Sequence, residues 1–123
     1  MGRRSGLRGL CIKPGGRQFD GAIGAIDALP AVVKAVAGRA PVFFDSGIRC
    51  GADALKALAL GADAVGIGRP YAYGLSIAGA EGVYETVRGL VSDLELNMRL
   101  NGITNISDLT PAIFADEVSN SRT

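Results

Sequence analysis

Apolar residues along this chain gather in short runs of two kinds. Some are continuous and rich in β-branched or aromatic residues, and others recur at helical spacing. Leu7 to Ile12 (LRGLCI) is a short apolar run followed by the Gly-rich turn Pro14-Gly15-Gly16. Leu29 to Ala37 (LPAVVKAVA) reads as a helix, with Pro30 in its first turn, where a missing N–H costs nothing, and Gly38 as its stop. Val42-Phe43-Phe44 is a continuous run that ends at Asp45-Ser46-Gly47, the pattern of a fully buried parallel strand. Ala52 to Leu60 is a helix stopped by Gly61, and Ala64 to Ile67 is the next buried strand, stopped at Gly68-Arg69-Pro70. A long amphipathic helix follows from about Gly82 to Leu100, with Leu90, Leu94 and Met98 on one face and Val83 and Val87 continuing it. Asn101 to Leu109 reads as a turn and short helix, and Glu117 to Thr123 as a polar, frayed tail.

Strands alternating with helices predict an α/β fold with a parallel sheet. A length of 123 residues fits one domain, about half of a barrel that typically runs to about 250 residues. Hydrophobic residues make up 48% and charged residues 20%, which places the chain among globular proteins. A net charge of +1 without a basic stripe or acidic tail gives no sign of a nucleic-acid or membrane-surface partner. Arg8 interrupts any apolar segment after Arg3-Arg4, and Gly6 stands where myristoylation wants Ser or Thr, so the N-terminus carries neither signal. No apolar run is long enough to span a membrane. The cysteines, Cys11 and Cys50, read as reduced thiols in a cytoplasmic protein. With no His and two Cys, a His/Cys zinc site is not expected.

Three turns follow the strands and would open on one C-terminal edge of the sheet. They hold Gly15-Gly16-Arg17-Gln18, Asp45-Ser46-Gly47-Ile48-Arg49 and Gly66-Ile67-Gly68-Arg69-Pro70. Glycines there let backbone N–H groups approach an anion, helix starts add a favourable dipole, and Arg49 and Arg69 can bind phosphate oxygens in pairs. Taken singly, Gly-Arg-Pro is an ordinary turn and Asp45-Ser46-Gly47 an Asx turn. Lys34, Arg39 and Lys56 read as solvated helix-face charges, Tyr71 and Tyr73 as packing residues, and Asp53 as a helix-start residue favoured by the dipole. The phosphate reading gains its weight from two Gly/Arg turns about 20 residues apart, each after a buried strand.

The stretches GGRQFDGAIGAIDALP, PVFFDSGIRCGADALKALALGADAVGIGRPYAYGL and LVSDLELNMRL resemble the C-terminal barrel segment of the FMN-dependent 2-hydroxy-acid dehydrogenases and oxidases. The likeness is continuous and ordered over roughly residues 7–110. It implies the C-terminal three βα units of a TIM (β/α)₈ barrel, an incomplete barrel without the first five units. It divides the chain into a divergent leader and first strand (1–14), barrel (15–110) and tail (111–123). The cofactor implied is FMN and the substrate a small 2-hydroxy acid, lactate-like, oxidised to a 2-oxo acid. By resemblance Arg17 pairs with the substrate carboxylate. Asp45, Ser46, Gly47 and Arg49 hold the ribityl chain and phosphate, and Gly68 and Arg69 complete the phosphate grip. The family's proton-abstracting His would follow Asn just before this Gly-Gly-Arg-Gln, where the chain has Lys13 and Pro14. The base is therefore absent, a loss of roughly 10²–10⁴-fold by itself. The resemblance implies a truncated protein inactive alone, with open barrel edges covered by self-association or a partner chain. Alternatives are half of a two-chain barrel, a non-enzymatic FMN- or phosphate-binding or interaction remnant, and the inosine-monophosphate dehydrogenase or isopentenyl-diphosphate isomerase barrels, which share an Asp-x-Gly-Ile-Arg turn. Gly15-Gly16-Arg17-Gln18 and GRPYAYGL favour the hydroxy-acid family.

Overall fold

The computed structural model describes residues 10–12, as backbone, and residues 21–114. Strand and helix alternate: β1 (Leu10–Ile12), α1 (Ala25–Val36), β2 (Val42–Asp45), α2 (Gly51–Ala59), β3 (Ala64–Gly66) and α3 (Arg69–Leu100). The single-turn helices α4 (Ile106–Asp108) and α5 (Pro111–Ile113) follow, both 3₁₀. The three strands form one parallel sheet in the order β1-β2-β3. Parallel pairing of successive strands needs a crossover, which α1 and α2 supply.

The sheet has two unlike faces. Val42 and Phe44 are buried at 3% and 1% exposure and meet Ala25, Leu29, Ala54 and Ala57 of α1 and α2. Phe43, between them, points the other way and is 42% exposed. The continuous run therefore does not make a strand buried on both sides, because among the described residues helices cover one face only. Asp63 fixes the strand starts, accepting the Val42 N–H at Oδ2 (2.7 Å) while its own N–H donates to the Val42 carbonyl (2.8 Å).

Helix ends follow local chemistry. α2 and the long arm of α3 both stop in Schellman turns. Gly61 (φ 102°) and Gly102 (φ 70°) adopt the left-handed conformation that a side chain resists. The next N–H groups, of Ala62 and Ile103, return to the carbonyls of Ala57 and Met98. α1 begins four residues before the apolar run at Leu29, so Pro30 lies inside it rather than in its first turn. It ends with Ala37 in the left-handed region (φ 49°) and Arg39 donating to the carbonyls of Ala35 and Val36.

α3 is longer than the amphipathic pattern predicts, because Gly68-Arg69-Pro70 opens a helix. It breaks at Ala78 and Gly79, where φ/ψ leave the helical region, into a short arm (69–77) and a long arm (80–100). The arms fold back at Gly74 and Gly82: a Cβ on Gly82 would strike the Gly74 carbonyl, and one on Gly74 the Gly82 carbonyl and Thr86 Oγ1. The predicted face of the long arm is borne out. Leu90 and Leu94 pack on the main core, and Met98 joins Leu55, Ala59 and Leu109 in a second cluster. Val87 lies at its margin, 42% exposed. Lys34 and Lys56 are exposed as predicted; Tyr71 and Tyr73 are also exposed, at 43% and 61%, rather than packed.

α2 meets α3 closely at Gly51, where a Cβ would fall on the Leu94 backbone N–H. Gly89, by contrast, has open space around its Cβ position. Gly51→Ala should lower stability by about 1–3 kcal/mol through overpacking, whereas Gly89→Ala should raise it by about 1 kcal/mol through helix propensity. Denaturant midpoints of the two variants check the opposite signs.

Asp53 sits in the first turn of α2 and accepts the Arg49 N–H at 3.0 Å. Burial raises its pKa, but hydrogen bonds from Arg49 and Cys50, with the nearby Lys56 charge, outweigh this and hold it below the ordinary carboxylate value. A depressed folded pKa stabilises above the unfolded pKa, and the benefit is lost as pH falls through the folded one. Asp53→Asn should cost about 0.5–1 kcal/mol at pH 7. That gap should close as pH falls below the ordinary carboxylate range and through the depressed folded pKa, in unfolding midpoints measured across the acid range.

Candidate functional site

The sheet register brings two turns together. Asp45 pairs with Gly66, so the last residues of β2 and β3 are level and the segments after them leave one edge. β1 runs the same way, with Ile12 paired to Phe44, so its C-terminal end lies at that edge too. Asp45, Ser46, Gly47 and Arg49 stand on the first turn, and Gly68 and Arg69 on the second. Arg17, with Lys13, Pro14, Gly15, Gly16 and Gln18, lies outside the described residues.

On the first turn, the Asp45 side chain lies against Gly66, whose added Cβ would stand 3.4 Å from Asp45 Cβ and 3.5 Å from Oδ1. Ser46 is half-buried. Gly47 turns the chain with φ 75°, and Ile48 plugs into the core at 5% exposure. Arg49 is exposed as a residue, while its backbone N–H is held by Asp53. On the second turn, Gly68 caps α3 with nothing within 4 Å of its Cβ position, and Arg69 is exposed.

The two helix starts differ electrostatically. At α2, Asp53 accepts the Arg49 N–H and Asp93, from the long arm of α3, accepts the Gly51 N–H at 2.6 Å. At α3 the cap makes no side-chain hydrogen bond and the first turn holds no acidic residue. Pro70 has no N–H to offer, and Ala72 is the first residue to bond back, to the Gly68 carbonyl (3.3 Å). The N–H groups of Gly68, Arg69 and Tyr71 thus have no partner within the helix. Arg49 and Arg69 take no part in the ion pairs found among the described residues, Arg88–Glu85 and Arg99–Glu95. Two guanidinium groups without a carboxylate partner among the described residues, beside a helix start whose first N–H groups have none there either, make an edge suited to a multiply charged anion.

A cleft of about 250 Å³ lies beside this edge, between the start of α2 and the long arm, lined in part by Arg49, Cys50, Thr86 and Asp93. Cys50 there is a free, exposed thiol. It shares only Arg49 with the sequence-predicted set. Sequence reasoning missed Asp93: a polar residue in an amphipathic helix gives no sign of a partner 42 positions away.

The chain resembles known proteins in both sequence and structure. The sequence profile of the FMN-dependent dehydrogenase family matches residues 6–116. An L-lactate oxidase from Lysinibacillus sphaericus is 49% identical over 106 residues, covering 85% of this chain and 28% of that protein. A 2-hydroxyacid oxidase from Dictyostelium discoideum is 52% identical over 103 residues, covering 84% of this chain and 26% of that protein. The chain thus spans little more than a quarter of these relatives. Among solved structures, a flavocytochrome b2 with sulfite bound superposes with a TM-score of 0.82 at 36% identity, covering 94% of this chain and 32% of that one. A mandelate oxidase with benzoyl-formic acid gives 0.74 at 42% identity, covering 79% and 29%. No helix among the described residues is long and apolar enough to cross a membrane. By its sequence profile and its relatives, the chain belongs to the FMN-dependent dehydrogenase family.

Proposed function

We propose that this chain contributes the phosphate-binding end of an FMN site in a 2-hydroxy-acid dehydrogenase or oxidase. The observation that carries the reading is the level ending of β2 and β3, which sets the Arg49 and Arg69 turns side by side at an uncapped helix start. In TIM barrels the loops after the last two strands and a short extra helix form the usual phosphate site. The short arm of α3 (69–77) has the place and length of such a helix. Residues 15–110 are then the C-terminal half of the dehydrogenase barrel, with 1–14 a divergent leader and first strand and 111–123 a tail, and β1, β2 and β3 open the last three βα units.

The residues present fit the cofactor's phosphate. Arg49 and Arg69 bring positive charge, and the backbone donors at Gly68 and Arg69 bring direction. Asp45, Ser46 and Gly47 are placed to meet the ribityl hydroxyls. Bound FMN would supply the two-electron oxidation. Arg17 pairs with the carboxylate of the 2-hydroxy acid. No residue serves as the proton acceptor, because Pro14 stands at its position and the chain contains no His. The chain alone binds flavin but turns over lactate at a negligible rate.

Phe43 supports a second element of this reading. Its exposure on a sheet face that no described residue covers, with β1 and β3 the outer strands among the described residues, leaves surface that a completed barrel would bury. Self-association or a partner chain covers that face. Light scattering at micromolar concentration should show species larger than a monomer, and a clean monomer would count against coverage by self-association.

FMN titration of the purified chain, read by flavin fluorescence, tests the cofactor site. Binding should be micromolar, and Arg69→Ala should weaken it roughly ten- to a hundredfold, the scale of a hydrogen bond to a charged group. A folded sample that leaves FMN free would overturn the reading.

A further inference from the structure

The start of α2 is held by a carboxylate with no part in the phosphate grip itself. Asp93 Oδ2 accepts the Gly51 N–H at 2.6 Å. Its Oδ1 accepts from Asn97 Nδ2 at 3.1 Å, and the same amide donates to the Asp93 carbonyl at 2.8 Å. Asn97, one helical turn on, thereby fixes the Asp93 rotamer. Both residues are half-buried. The hold falls on Gly51, where the missing Cβ lets the start of α2 sit against the Leu94 backbone. Two residues upstream, Arg49 is tied to Asp53. The backbone that carries Arg49 is thus clamped by a local carboxylate and by one from the helix beyond β3.

We infer that Asp93 is a positioning residue for the FMN phosphate, acting through Gly51 to hold the Arg49 turn beside the start of α3. The inference rests on the FMN reading above. Asp93 cannot favour phosphate directly, because it is an anion and lies on the wall of the cleft that Arg49 also lines. Coulomb's law alone says that removing it should tighten phosphate binding. Positioning requires the opposite sign. By occupying a first-turn donor of α2, Asp93 also directs the incoming anion to α3, whose first turn has no carboxylate partner.

The test compares FMN with riboflavin, which lacks the phosphate, on the full chain and its variants by flavin fluorescence. Amide hydrogen exchange over residues 46–51 is followed in parallel. Asp93→Ala should weaken FMN about tenfold, the loss of one charge-assisted hold, and leave riboflavin nearly unchanged. Exchange at Gly51 should quicken. Asp93→Asn, which keeps an acceptor for the Gly51 N–H, should stay near the wild type. Equal loss for both flavins would assign Asp93 to general stability, and unchanged or tighter FMN binding would leave only its charge; either result overturns positioning while the FMN site stands. Failure of the wild type to bind FMN removes both readings. If Asp93→Ala does not fold, Asn97→Ala frees the carboxylate rotamer and should show the same selective loss of FMN, with equal loss again overturning the inference.

Discussion

The parallel register of β2 and β3 is the constraint on which the rest depends. Each strand is very short, and a one-residue slip would turn every side chain to the opposite face. Phe44 would leave the helices, and the Arg49 and Arg69 turns would no longer end level. The Asp63 carboxylate and N–H, bonded to the two backbone groups of Val42, resist that slip at the strand starts. At the other end the Asp45 side chain rests in ordinary contact beside Gly66. The two Asp63 bonds thus help fix a register that the hydrophobic run of β2, apolar at every position before Asp45, leaves poorly specified.

From the register the edge follows. Burial of Ile48 ties the first turn to the core, and the break at Ala78-Gly79 frees a short helix to begin beside it. Both helix starts present orphan N–H groups, but among the described residues the start of α2 meets carboxylates and the start of α3 does not. That contrast gives the edge an electrostatic polarity.

Much of this was legible in the residues. The α/β alternation, the core face of Leu90, Leu94 and Met98, and the stop at Gly61 follow from periodicity and turn chemistry. The family resemblance rests on ordered stretches that the relatives share. What misled was local. Pro30 invited a helix start because proline prefers a first turn, yet α1 extends back to Ala25, which is buried in the core. Gly68-Arg69-Pro70 does end the strand, as its residues indicate, but it also opens α3 at Arg69, well before the amphipathic pattern begins near Gly82. Phe43 looked buried because a continuous apolar run does not say which faces are covered. Asp63 and Asp93 stayed invisible as structural residues, since their partners lie across the fold. The roles of Arg17 and Pro14 rest on resemblance, as both fall outside the described residues.

The glycine contacts also decide where the chain tolerates mutation. Gly51, Gly74 and Gly82 each sit where any side chain would enter a neighbouring backbone, whereas Gly68, on the candidate anion edge, and Gly89 have open space around the Cβ position. A glycine codon is one base from alanine, serine, aspartate, valine, arginine or cysteine, so a single base change at any of the first three forces two helices apart. The helix crossings, and not the start of α3, are therefore where this chain has least room for substitution.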